Sequence, residues 1–152
     1  MSRPKLSKSM VYMPDARMRK LAERVIKAYG DRLDHIDLDR VLFLREITGK
    51  ESGAAGICRM VATPYRQILC GLGLDVEWII EFYSAATDGK SREWEAILMY
   101  HELSHIGPDG KIVDHDIEDF TSILSTVGIE WVSNNNLPNI FTKKHRIPPN
   151  SV

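Results

Sequence analysis

The sequence lacks most of the features that would set it apart from ordinary globular proteins. Among its 152 residues there are two cysteines, Cys58 and Cys70. A small secreted domain held by disulfides carries more, so the expected compartment is the cytoplasm. Both thiols are expected to be small buried hydrophobes; a tight hairpin over residues 57–70 would instead let them face each other. No apolar run approaches the roughly 20 residues that a membrane span needs. The first eight residues are basic, but no apolar stretch follows them, and no secretory signal is expected. Charge of one sign is missing as well: 20 Lys and Arg oppose 21 Asp and Glu, a formal net charge of -1. That balance makes no global electrostatic case for nucleic acid or for an anionic membrane. Internal repeats are absent.

What is present is an average soluble composition, 43% hydrophobic and 27% charged, in a length that fits one domain. A chain of this size buries roughly two thirds of its unfolded surface and needs no staples.

Residues 1–13 have no clear period and read as a mobile arm ahead of a domain spanning 14–132. Asp15 is placed to cap a helix running to about Tyr29, with Met18, Leu21, Val25, Ile26 and Tyr29 at helical spacing and Gly30 as its stop. Val41-Leu42-Phe43-Leu44 reads as a strand. Ile57 to Cys70 is rich in β-formers and reads as two strands joined by a turn, and Val76 to Tyr83 as a further strand. Ser91 is the expected N-cap of a helix on which Trp94, Ile97, Leu98, His101 and His105 share one face. Ala96, Met99, Leu103 and Ile106 make a second apolar face, so this helix is expected to be buried between layers. Gly107-Pro108-Asp109-Gly110 ends it. Another helix is expected from Asp114 to about Thr126. Residues 133–152 turn polar and proline-bearing, and read as a loosely packed tail.

The chemistry is concentrated in His101-Glu102-Leu103-Ser104-His105. Two histidines four apart on a helix project from one face and can bind one metal ion. Neutral imidazole suits zinc. Glu102 is turned by roughly 100° from His101, so it can reach a water beside the ion without being a ligand. That is the arrangement for metal-assisted hydrolysis, in which the carboxylate takes the water's proton and passes it on. A catalytic zinc usually has three protein ligands. His115 is the favoured third, with Asp116, Glu118 and Asp119 as competitors or as partners to a ligand histidine's second nitrogen. Tyr65 and Tyr83 are candidate donors to a developing oxyanion, and Tyr100 is expected to point away from the metal. His35 reads as a loop or surface histidine. His145, in Lys143-Lys144-His145-Arg146, reads as part of a solvated tail. The three tryptophans read as core.

Met99-Tyr100-His101-Glu102-Leu103-Ser104-His105-Ile106, followed by Asp114-His115-Asp116-Ile117-Glu118-Asp119-Phe120, resembles the phage metallopeptidases, small zincin-like proteins of phages and prophages. The likeness covers about residues 40–130. It implies an α+β fold of the minimal zincin-like kind: a small twisted, mainly antiparallel sheet packed against an N-terminal helix and an active-site helix. It also implies one Zn2+ per chain, with His101, His105 and His115 as ligands and Glu102 as acid/base, and a protein or peptide substrate. The chain departs from the long zincin pattern, in which a glycine and a third histidine follow within six residues of the second.

Two other functions fit less of the sequence. A non-catalytic zinc-binding regulatory or interaction module would keep the fold without cleavage, although an intact Glu102 argues against it. A phosphohydrolase of the His-Asp type is suggested only by His115-Asp116, and the further metal ligands it needs are not found at suitable spacings.

Overall fold

A computed structural model describes residues 9–115, 120, 123, 126, 127, 131–133 and 136–142. Its elements run, in chain order, β1 (Tyr12–Pro14), α1 (Ala16–Ala28), α2 (Gly30–Leu33), β2 (Val41–Glu46), β3 (Gly56–Met60), α3 (Tyr65–Gly71), β4 (Trp78–Tyr83), α4 (Ser84–Thr87) and α5 (Arg92–Ser104). The sheet order is β1-β2-β4-β3. Its two outer pairings are antiparallel and its central one, β2 with β4, is parallel. The result is the small, mainly antiparallel sheet of a minimal zincin-like α+β fold, with β3 at one edge.

Period-2 alternation decides which face of the sheet meets the helices. Val41 and Phe43 of β2, Cys58 of β3, and Trp78, Ile80 and Phe82 of β4 are buried in the same core as α1 and α5. Met18, Ala22, Val25 and Tyr29 face this core from α1. They fall on one helical stripe. Its N-terminus is closed by Asp15, whose carboxylate accepts from the Arg17 N–H at 2.9 Å. α5 is capped by Ser91, which accepts from the Trp94 N–H at 3.1 Å. It is buried on two sides, by Ala96, Ile97, Leu98, Met99, Tyr100 and Leu103, against α1, β3 and the segments that carry Phe120, Ile123, Trp131 and Ile140. Each fully buried aliphatic or aromatic side chain contributes about 1.5–3 kcal/mol, so burial on both sides, rather than amphipathic patterning, holds this helix in place.

Five expectations need correction. Residues 57–70 do not form a strand pair. Only Gly56–Met60 joins the sheet, and Tyr65–Gly71 is helical with no buried residue. Pro64 cannot donate to a ladder, and a short helix that buries nothing leaves no apolar stripe in the sequence. The two cysteines therefore do not face each other across a hairpin: Cys58 is buried, Cys70 exposed, and both are free. The N-terminal arm is tied down earlier than expected, because Tyr12 and Met13 pair with Glu46 and Arg45. Nor does the tail simply trail away: Ile140 is buried, its carbonyl accepts from the Tyr29 hydroxyl at 2.5 Å, and Arg24 stacks on the Phe141 ring at 4.2 Å. The helix expected from Asp114 does not begin there, since Val113 to His115 is not helical; residues 123, 126 and 127 are, and most of the positions between lie outside the described residues.

Candidate metal centre

His101 lies in the last turn of α5, and His105 is the helix's C-cap, still in the right-handed helical region at φ -73° and ψ -18°. Helical backbone through both residues keeps their rings on one face, with centroids 5.2 Å apart. The chain then reverses tightly. The Gly107 N–H donates to the Lys111 carbonyl at 2.9 Å, and Ile106 bridges to Ile112 in antiparallel fashion. The return strand delivers Val113 to His105, and two residues further on it places His115 over the helix end.

His115 Nε2 lies 2.9 Å from His101 Nε2 and 3.1 Å from His105 Nε2. Three imidazole nitrogens converging in this way can each offer a lone pair to one cation. Zinc–nitrogen bonds of about 2.0–2.1 Å in tetrahedral geometry set ligand nitrogens roughly 3.3 Å apart, close to the spacing here. His101, His105 and His115 can thus hold one metal ion.

The ring of His105 is oriented before any ion binds. Its Nδ1 lies 2.7 Å from the Val113 carbonyl, which can only accept, so Nδ1 carries the proton and Nε2 presents a lone pair. Burial holds its pKa below the ordinary value, and the neighbouring His101 and His115 push the same way against the Val113 carbonyl and Asp114. A neutral ring is the form that binds metal. Beneath the three histidines sits Phe120, buried, its ring edge-on to each of them at 5.0–5.4 Å.

Glu102 points elsewhere, as its turn around the helix requires. It is only 3% exposed. Its side chain lies against the start of β3, so close that a Cβ placed on Gly56 would be 3.1 Å from its Oε1.

Other sequence candidates fall in different places. Alternation along β4 sets Tyr83 opposite Phe82, on the sheet face away from α5, where its hydroxyl donates to Glu81 at 2.6 Å. Tyr65 opens α3 with 67% of its surface exposed. Tyr100 points toward α1, as expected, stacking on Tyr29 at 4.4 Å and accepting from Arg32 at 2.9 Å. His35 is, as expected, an exposed turn residue, and it has one partner. Its Nε2 donates to the Ile106 carbonyl at 2.7 Å, which fastens the segment after α2 to the end of the histidine helix. Asp116, Glu118, Asp119 and His145 lie outside the described residues. Sequence reasoning missed Gly56, Val113 and Phe120 as residues of the site, whereas the turn from Gly107 to Gly110 does signal that the chain reverses and brings His115 within reach.

A cavity of about 700 Å³ lies at the other end of α5, lined by Arg17, Lys20, Arg24, Lys90 and Arg92 among others. It is separate from the histidines, since the eight residues from Glu93 to His101 span about 12 Å of helix.

The small mixed sheet and its helices are consistent with a minimal zincin-like α+β fold, and the three histidines are a group that could hold a metal ion. The family described as "Putative phage metallopeptidase" matches residues 10–137, and the chain belongs to it. Comparison with curated proteins and with solved structures returns no match. Among the described residues no helix is long and apolar enough to cross a membrane.

Proposed function

We propose that the chain is a zinc-dependent peptidase in which His101, His105 and His115 hold one Zn2+ and Glu102 is the general base. The observation that carries this reading is the convergence of three histidine Nε2 atoms at the end of a helix whose next residue after His101 is a buried glutamate. A bound zinc ion lowers the pKa of water to about 7 and polarises a carbonyl. Glu102 takes the proton of the attacking water and gives it to the leaving amine. Val113 holds His105 in the ligating tautomer. His105 has thereby used its second nitrogen, so the acids that follow His115, Asp116, Glu118 and Asp119, are proposed as partners for His101 or His115.

The substrate proposed is an extended protein or peptide segment, in the cytoplasm. β3 is a sheet edge beside α5. The Tyr83 N–H bonds to the Ala55 carbonyl and the Val61 N–H to the Glu77 carbonyl, each at 2.9 Å. Antiparallel pairs alternate, so Gly56, Cys58 and Met60 turn their backbone groups outward. An extended peptide added along that edge runs past Glu102.

The test is metal content together with hydrolysis of an unfolded protein substrate. The expected result is about one zinc per chain, lost in His101→Ala and strongly weakened in His115→Ala. Glu102→Gln should keep the ion and lose turnover by about 10²–10⁴-fold. Chelation should stop turnover without unfolding the domain, which has its own core. A zinc-loaded wild-type protein that cleaves nothing would leave the non-catalytic zinc-binding module as the better reading.

A further inference from the structure

We infer that Gly56 is a positioning residue for Glu102: the missing side chain at the start of β3 is the seat in which the carboxylate settles. The part of this inference that concerns catalysis rests on the peptidase reading above.

The nine described glycines separate by physical reason. Gly49, Gly53, Gly73, Gly89 and Gly110 have φ between +74° and +82°, a region that L side chains rarely adopt. Gly30 and Gly71 have open space where a Cβ would go. Gly56 and Gly107 are different: their φ is ordinary, yet a Cβ would crowd its neighbours. At Gly107 the obstacle is backbone, the Lys111 carbonyl at 2.6 Å. At Gly56 all three nearest atoms belong to one side chain: Glu102 Oε1 at 3.1 Å, Cγ at 3.2 Å and Cδ at 3.3 Å. A glycine within a strand weakens it, and neither a turn nor a left-handed backbone asks for one here. What requires it is the close approach of Glu102.

The approach comes from the core face of the sheet. Gly56 pairs with Phe82 and Cys58 with Ile80, so the side-chain positions of both point toward α5. Cys58, two residues on, is buried in the core on the same face of β3. Glu102 is buried, so the side chain that must give way is enclosed by the core. A methyl group at Gly56 must therefore move the carboxylate by some tenths of an ångström, away from the strand and off its line to the water. The ligand histidines lie on another side of α5 and are not touched.

Two measurements on the full-length protein test this. In the first, Gly56→Ala is expected to bind zinc as wild type does, with KM unchanged and kcat lower by about tenfold or more, in keeping with the steep cost of misplacing a catalytic group. Gly71→Ala, where nothing lies near the added methyl, should leave all three unchanged. An unaltered kcat in Gly56→Ala would overturn the inference. The second measurement needs no activity: thermal unfolding of wild type, Gly56→Ala, Glu102→Ala and the double variant. Gly56→Ala should lower Tm when Glu102 is present, and leave it unchanged or raise it when residue 102 is alanine. Equal losses in both backgrounds would mean that the methyl group collides with something other than Glu102, and the seat would be wrong. Coupling in the melts with no hydrolysis by wild type would overturn the peptidase reading and leave the seat standing.

Discussion

His105 and Val113 are joined twice. The Val113 N–H donates to the His105 carbonyl at 2.7 Å, and the His105 ring returns the bond from Nδ1 to the Val113 carbonyl, also at 2.7 Å. The first bond fixes where the chain comes back after the helix. The second fixes which nitrogen of His105 faces the cluster. One residue of the return strand therefore sets both the chemistry of one histidine and, two positions later, the place of another. Partners of this kind are commonly worth 10–100-fold in metal affinity.

Gly107 makes that return possible, and Gly107→Ala should damage the metal centre without touching a histidine. The added Cβ would fall 2.6 Å from the Lys111 carbonyl and 2.8 Å from the Asp109 carboxylate, so the turn must open and Val113 must move. Zinc affinity is expected to fall by about 10–100-fold. A competition titration against a chromophoric chelator measures it, and affinity equal to wild type would show that the turn does not set the site.

Arg45 fastens the histidine helix to the rest of the fold. From β2 its guanidinium donates to Asp15 at 2.9 Å, Glu95 at 2.9 Å and Thr87 at 3.0 Å, joining the cap of α1, α5 and α4. Its side chain is 15% exposed and that of Asp15 10%, so these are not screened surface pairs. Arg45→Ala leaves two carboxylates without a shared partner and should cost about 2–3 kcal/mol in urea unfolding. Arg45→Lys should recover little, because one ammonium cannot span the fork. A loss under about 0.5 kcal/mol, the range of ordinary surface changes, would remove Arg45 from this role.

Stability should also fall in acid through Asp15. Burial alone would raise its carboxyl pKa, but hydrogen bonds from the Arg17 and Arg45 side chains and from the Arg17 N–H outweigh that and hold it below the ordinary 3.8. A carboxyl lowered in the folded state stabilises fully above its unfolded pKa, and the contribution disappears as pH falls through the folded value. Asp15→Asn keeps a capping side chain but removes the charge. Its stability deficit should be largest near neutral pH, shrink below about pH 4 and vanish in stronger acid. A deficit constant with pH would mean that capping, not charge, is what Asp15 contributes.

The two thiols should separate cleanly in reactivity. Burial, and then the negative charge of Glu102, push the Cys58 thiol up to about 12, whereas Cys70 is exposed on α3. The thiolate is the reactive form. One cysteine should react with an aromatic disulfide reagent in the native protein at mild alkaline pH, and both after denaturation. Fast reaction of both in the native state would place Cys58 closer to solvent than the fold allows.

Much of this molecule could be read before its structure. The caps Asp15 and Ser91, the stripe of α1, the strands at Val41 and Trp78, and the double apolar face of α5 follow from neighbours within a turn or a few residues, where side-chain type and spacing act directly. α3 escaped because it buries nothing, and without burial there is no apolar period to detect. Tyr83 looked like a donor for the site because the sequence does not say which face of a strand meets the helix.

The sequence by itself determined that His101 and His105 share a helix face with Glu102 turned aside from them, because helical geometry is local and repeats with every residue. It also put His115, Asp116, Glu118 and Asp119, the candidates to join them, in the short stretch after the turn. Only the tertiary structure decided that His115 closes the cluster, that Val113 selects the tautomer of His105, and that Glu102 rests on Gly56. Those relationships join residues far apart along the chain through the crossing of a helix, a turn and a sheet edge, and contact distances of that kind are set by how the layers pack rather than by any spacing in the chain.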